Sequence, residues 1–277
     1  VAGSALLRPP LHGRLLDFQT VPDERGTLVV VEEERHIPFC IGSVRWSSHH
    51  SRAATVDFER REPTETTIAA LSGSFDVVLG SSPGGAPVRL GQADVGLYLP
   101  AGHCWSIQNP SGEAAWLLLT SGVGVHRFRA PRLEWSPAVS LPYQESGGWT
   151  VVRATSRGQV PFQIRRVYYI HSVAAGAERG GHAHRQLEEL LVAVRGSFDL
   201  VLHDGHRSTT IHLDRPAVGV HIARYCWREL KNFSPGAVCL VLASWPYEES
   251  DYVRDFEEFA REMVDNRTTG INWTRGL

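Results

Sequence analysis

Two histidines one residue apart, His182 and His184, are followed by Glu189 and framed by Gly176 and Gly196, a spacing of G-x5-H-x-H-x4-E-x6-G. In an extended strand, residues i and i+2 point to the same face, so the two imidazoles project together. The next strand can bring Glu189 onto that face, with Gly196 turning the hairpin. Burying two imidazoles beside a carboxylate is costly unless the set has a use. Two kinds of chemistry fit it. Two histidines and a carboxylate can hold a metal ion in a three-ligand site. A histidine, with an ordinary pKa of about 6.5, can also take and return a proton near neutrality.

The elements that must position these residues follow from an internal repeat. Ile37-Pro-Phe39 returns as Val160-Pro-Phe162, Gly73-Ser-Phe-Asp76 as Gly196-Ser-Phe-Asp199, and Thr120-Ser121 stands against Ala243-Ser244, all offset by 123 residues. Cys104-Trp105 matches Cys226-Trp227 at 122, which needs one indel. Each copy reads as short apolar or alternating strands, among them Ile68–Leu71, Phe75–Leu79 and Leu97–Leu99, then Leu190–Val194, Phe198–Leu202 and Val220–Ile222. Turn signals recur about every 8 to 12 residues, the pattern of an all-β sandwich or barrel. The exception is Tyr252–Val264, which puts Val253, Phe256, Phe259, Ala260 and Met263 on one helical face, with Ser250 or Asp251 as cap. The Pro-containing stretch 130–148 reads as a linker between residues 1–129 and 149–277.

Composition narrows the function. The chain has 277 residues, 42% hydrophobic and 21% charged, which excludes a disordered or coiled-coil protein. It carries 28 basic and 30 acidic residues, so it is not a nucleic-acid binder working by bulk charge. Lys231 is the single lysine, and the other basic residues are arginines. No apolar run reaches the roughly 18 to 20 residues of a membrane helix. The four cysteines, Cys40, Cys104, Cys226 and Cys239, form no CxxC pair and are too sparse for a disulfide scaffold. The expectation is a reduced, cytoplasmic protein.

The histidine motif and its spacing resemble the first motif of the cupin superfamily. The resemblance implies an all-β fold of two tandem cupin (jelly-roll) barrels with a C-terminal helix. Cupins that bind metal draw a further histidine from a second motif. Here the corresponding stretches, Gly219–Trp227 and Gly96–Trp105, carry tryptophan at that place, and His221 or His103 would have to slide to complete a ligand set. Over the second copy the likeness narrows. Val160–Ile170, Arg179-Gly-Gly-His-Ala-His184, Gly196-Ser-Phe198, Trp227-Arg-Glu229 and Asp251–Phe259 resemble the WxcM-like sugar 3,4-ketoisomerases. So do Glu24-Arg-Gly-Thr-Leu28 and Ile37-Pro-Phe39. That family implies a dTDP-4-keto-6-deoxyglucose substrate, no metal and no cofactor, and two histidines that handle protons. The chain departs from it in Glu189, where the family carries Gln, and in holding two cupins where the family unit is one, paired as a dimer.

On this reading the keto group moves from C4 to C3 of a dTDP-linked sugar through an enediol, with His184 as the main shuttle and His182 orienting or relaying. Tyr168 is either a donor to the developing oxyanion or a wall aromatic. Arg166 and Arg179 either hold the diphosphate or make surface ion pairs, and Trp227 and Arg228 either line the site or pack. At the 123 offset Glu59, Arg61 and Thr66 replace His182, His184 and Glu189, so one active site is expected, in the second copy. The first copy then acts as the internal pseudo-dimer partner, with further dimerisation left open. Arg25-Gly26 precedes a strand in the first copy but has no counterpart before Thr150–Val152. An exchange of that strand into the second sheet would bring Arg25 to the second pocket and cover sheet edges. The rivals are a sugar-nucleotide 3- or 5-epimerase, a metal-dependent bicupin oxygenase and a non-catalytic sugar-binding cupin.

Overall fold

The structure, a computed structural model, describes residues 13–49, 54–58, 64–79, 87–109, 112–122, 138–146, 149–156 and 158–268. The first repeat begins with β1 (Arg14–Asp17), β2 (Gln19–Asp23), β3 (Gly26–Glu32), β4 (Ile41–His49), β5 (Ala54–Phe58) and β6 (Thr66–Ser72). It continues with β7 (Phe75–Leu79), β8 (Val88–Leu90), β9 (Val95–Leu99), β10 (Trp105–Asn109) and β11 (Ala114–Ser121). Then come β12 (Ala138–Ser140), β13 (Tyr143–Ser146), β14 (Trp149–Thr155), β15 (Arg166–His171), β16 (Arg179–His184) and β17 (Glu189–Arg195). The chain closes with β18 (Phe198–His203), β19 (Ser208–Leu213), β20 (Val218–Ile222), β21 (Trp227–Lys231), β22 (Val238–Ala243), β23 (Tyr252–Val253) and the helix α1 (Phe256–Thr268). Among the described residues no helix is long and apolar enough to cross a membrane.

Strand sequence follows strand environment. β18 alternates buried and half-buried residues because one face is covered, whereas β17 is buried along nearly its whole length. Together the strands build two cupin-type barrels. The first has a seven-stranded sheet, β1-β9-β6-β11-β4-β14-β13, and a four-stranded one, β5-β10-β7-β8. The second has β12-β20-β17-β22-β15-β3-β2 and β19-β18-β21-β16-β23. The two large sheets correspond strand for strand at the repeat offset.

The strands cross between repeats. β3 pairs antiparallel with β15 of the second copy, setting Glu32 against Arg166 and Val30 against Tyr168. Reciprocally, β14 pairs with β4, setting Thr155 against Ser43. The expected exchange of the N-terminal strand is therefore present. Pleating gives β3 two buried faces. Val29 and Val31 enter a core shared by both repeats, with Ile37, Phe162, Leu190 and Leu242 among its members. The opposite face, with Leu28 and Val30, looks into the second barrel. The indole of Trp46 also crosses the repeats, donating to the Pro216 carbonyl at 3.0 Å.

Two expectations are corrected. The stretch 130–148 is not plain linker, because β12 and β13 cover edges of the second and first sheets by pairing with β20 and β14. The helix starts at Phe256, not Tyr252. Tyr252 and Val253 pair with β16 instead, and the Asp255 carboxylate caps the helix by accepting the Glu258 N–H at 2.7 Å.

Removing residues 1–33 should expose the β15 edge and take Phe18, Val29 and Val31 from the shared core. The truncated chain should lose cooperative unfolding in a denaturant titration. A sharp transition at the full-length midpoint would contradict this packing.

Candidate functional site

A cavity of about 640 Å³ opens within the second barrel. It is lined by Arg25, Arg35, Arg166, Arg179, Arg228 and Arg254 against two carboxylates, Glu32 and Glu189. Tyr168, His182, Tyr247 and Tyr252 supply further polar groups, and Leu28, Val30, Leu191, Leu230 and Val241 the apolar wall. Such an excess of guanidinium suits an anionic ligand with several oxygens.

β16 carries the histidines. It bulges between Gly180 and His182, and Gly180 adopts φ +82°. A Cβ there would lie 2.5 Å from the Arg228 carbonyl, so only glycine fits where the strand presses on β21. The two imidazoles share a face, as their spacing requires, with ring centres 4.8 Å apart. Their roles in the wall differ. His182 lines the cavity, while His184 is buried behind it and behind Tyr252, whose ring centre lies 4.3 Å away.

His184 is held by an acid the sequence reading treats only as a helix cap. Its Nδ1 meets the Asp251 carboxylate at 3.0 Å, and that carboxylate also accepts the N–H groups of Gln186 and Leu187. The carboxylate accepts, so the Nδ1 proton is fixed and Nε2 faces Glu189 at 4.0 Å. Glu189 takes the Tyr168 hydroxyl at 2.5 Å and stands 3.4 Å from Arg228 Nε. Burial alone would raise the Glu189 carboxyl, but Arg228, the two histidines and Tyr168 hold it down to about 2. Burial pushes the Tyr168 hydroxyl well up, and the adjacent Glu189 charge adds to this. Burial, then Arg228 and His184, bring His182 down to about 3, and burial with Arg228 lowers His184 as well. Both rings are neutral at physiological pH.

The residues singled out by sequence divide clearly. Arg25, Arg166, Tyr168, Arg179, His182, Glu189 and Arg228 all line the cavity. Trp227 does not. Its ring packs 5.2 Å from Phe256 and 5.7 Å from Phe259, under the helix, because it alternates with Arg228 along β21. Arg228 is the inward residue of the pair. Tyr247, Glu32 and Arg35 also line the cavity and carry no motif signal, and Tyr252 and Arg254 join them from the Asp251–Phe259 stretch, where no role was expected of either. Glu59 and Arg61 lie outside the described residues, and Thr66 is a buried residue of β6. Among the described residues of the first barrel, Trp116 and Trp149 occupy the interior, fully buried and 6.1 Å apart. Their equivalents at the 123 offset are Cys239 and Gly26.

The side chains do not suit a metal centre. Both Glu189 oxygens are engaged, and a cation there would meet the Arg228 guanidinium. Among the described residues no group of three His, Cys, Asp or Glu side chains is placed to hold an ion.

Residues 12–123 and 139–264 match the FdtA family, described as WxcM-like, C-terminal. The chain belongs to this family. A TDP-4-oxo-6-deoxy-alpha-D-glucose-3,4-oxoisomerase from Aneurinibacillus thermoaerophilus is 40% identical over 115 residues, which cover 42% of this chain and 83% of the relative. The crystal structure of a 3,4-ketoisomerase from Helicobacter canadensis is 38% identical over 46% of this chain and 96% of that one, with a TM-score of 0.45. QdtA, a sugar 3,4-ketoisomerase from Thermoanaerobacterium thermosaccharolyticum in complex with TDP, is 30% identical over 49% of this chain and 98% of that one, with a TM-score of 0.46. The first relative corresponds to one repeat, so this chain is a tandem form of the family unit.

The depressed histidines set the acid stability. In the folded chain their values lie below that of a free imidazole, so the unfolded chain takes up protons first as pH falls. Stability tied to the neutral rings is complete above about pH 6.5 and is lost progressively below it. His182→Asn should therefore lose less stability than the wild type between about pH 7 and about pH 5 in urea titrations. Parallel losses would contradict the assignment.

Proposed function

We propose that the second barrel isomerises a TDP-linked 4-keto-6-deoxyhexose, moving the keto group from C4 to C3. The observation that carries this reading is one neutral histidine, His182, on the wall of a cavity rich in arginine. The relatives' names supply the substrate class. In this reading the cavity arginines hold the diphosphate, and the sugar reaches the inner end beside His182, Tyr168 and Tyr252.

The reaction then needs one carbon proton to move between neighbouring atoms. His182 takes the proton from C3. The electrons of the broken C–H bond form the C3–C4 double bond of an enediolate, and charge develops on the C4 oxygen. Tyr168, whose single hydroxyl hydrogen rests on Glu189 in the free site, turns that hydrogen to the C4 oxygen as charge develops, leaving Glu189 to Arg228. The imidazolium returns the proton at C4, while the O3 proton leaves and the C4 oxygen gains one, giving the 3-keto isomer. Substrate and product have the same oxidation level, so no electron acceptor is consumed.

This assigns the shuttle to His182 and makes His184 its support, the reverse of the sequence-based order. Two features favour the reversal. His182 borders the cavity, and the His184 ring is committed to Asp251. Internal pairing of the two repeats stands in for the dimer of the single-cupin family unit.

NMR of the products from TDP-4-keto-6-deoxyglucose tests the reading. The wild type should yield the 3-keto isomer. His182→Asn should lose on the order of a hundred- to ten-thousandfold in kcat, the usual share of a general base, while still binding TDP. Retention of the 4-keto group with inversion at C3 or C5 would instead make the enzyme an epimerase. Because His182 is already neutral, kcat/KM should stay level from about pH 8 to about pH 5, without an acid limb near 6.5. Dialysis against a chelator should leave turnover intact, and a metal that restored lost activity would contradict the mechanism.

A further inference from the structure

The two repeats can be compared position by position, because the first repeat keeps the fold and, among the described residues, places Trp116 and Trp149 in its barrel. Where β3 meets β15, Glu32 stands opposite Arg166, and at the equivalent crossing of β14 and β4 the residues are Thr155 and Ser43. At these equivalent positions the second barrel thus has a buried charge pair and the first a pair of hydroxyl residues. Both members are nearly fully buried, with side-chain exposures of 6% for Glu32 and 4% for Arg166.

Glu32 does more than face Arg166. Its Oε1 lies 4.0 Å from Arg166 Nη1 and accepts the backbone N–H of Tyr247 at 2.8 Å. Its Oε2 accepts from Arg35 Nη1 at 3.0 Å. Tyr247 belongs to the lip of the cavity, 215 residues away in sequence, and its ring lies 5.9 Å from the Arg166 guanidinium. That guanidinium also lies 5.4 Å from the ring of Tyr168, and its charge opposes the rise that burial gives the Tyr252 hydroxyl. One carboxylate therefore touches the lip and the arginine that spans two cavity tyrosines.

We propose that Glu32, supplied by the first repeat, is a positioning residue for the second-barrel cavity, fixing both Arg166 and the Tyr247 lip. Arg166 Nε is a buried donor with no hydrogen-bond partner among the described residues, and the ion pair of this guanidinium is with Glu32. Replacing the carboxylate would leave a buried cation uncompensated and free to turn towards Glu189 or a bound anion.

The kinetic arm of the test rests on the isomerase reading, and the exchange arm does not. In full-length protein, NMR hydrogen exchange at the Tyr247 amide should be fast in Glu32→Ala and slow in the wild type and Arg166→Gln. Slow exchange in Glu32→Ala would overturn the latch. Glu32→Gln, which keeps an acceptor for that amide, carries the kinetics. It should lower kcat on the order of ten- to hundredfold, the scale of a misplaced site group. KM should shift by less than about threefold. Combined with Arg166→Gln, it should cost no more than Arg166→Gln alone, since Glu32 acts through that residue. An unchanged kcat, or losses that multiply in the double variant, would overturn the proposal. A wild type inert towards TDP-4-keto-6-deoxyglucose would sink the isomerase reading, and the exchange result would then decide on Glu32.

Discussion

The ladder between β3 and β15 is the contact on which the rest of the molecule depends. It places a first-repeat strand inside the second barrel's large sheet. Because the strand alternates, one set of side chains fills the core between the repeats and the other becomes a wall of the cavity. Removing that ladder would uncover both at once. Stability and site construction are thus coupled in a single seven-residue segment. The reciprocal strand β14 sends Val152 and Ala154 into the shared core and Trp149 and Val151 into the first barrel, and β3 has Gly26 at the position equivalent to Trp149.

Buried charge is the second constraint. Glu189 and Arg228 are each almost wholly removed from water, a placement tolerable only because each neutralises the other. The Tyr168 hydroxyl satisfies a further lone pair of Glu189. Burial, helped by Arg228, then keeps both histidines unprotonated, while Asp251 fixes the ring orientation of His184. A base poised in its neutral form is thereby obtained from ordinary packing. The same arrangement leaves Glu189 unsuited to a metal.

Much of this was legible in the sequence. A constant offset over long stretches exposes two copies of one unit, and the His-x-His spacing places both rings on one face. The leftover Arg25-Gly26 element pointed to strand exchange, since a feature of the active copy stood in the other half. What escaped notice has physical reasons. Asp251 lies next to a helix and looks like a cap, yet the cap is Asp255, and Asp251 is drawn away by His184 and two backbone amides. The inward residue of β21 depends on strand phase, which decides between Trp227 and Arg228 and cannot be fixed from the pair alone. Glu32 and Tyr247 meet across 215 residues, and no local pattern announces that contact. Which histidine borders the cavity turns on the bulge at Gly180, a matter of three-dimensional path.

The central claim is one composite site per chain, built in the second barrel from both repeats. Titration calorimetry with TDP tests it most directly. The account predicts one TDP bound per full-length chain, with binding abolished when the β3 segment is removed. Two TDP per chain, or unchanged binding to a chain lacking β3, would contradict it.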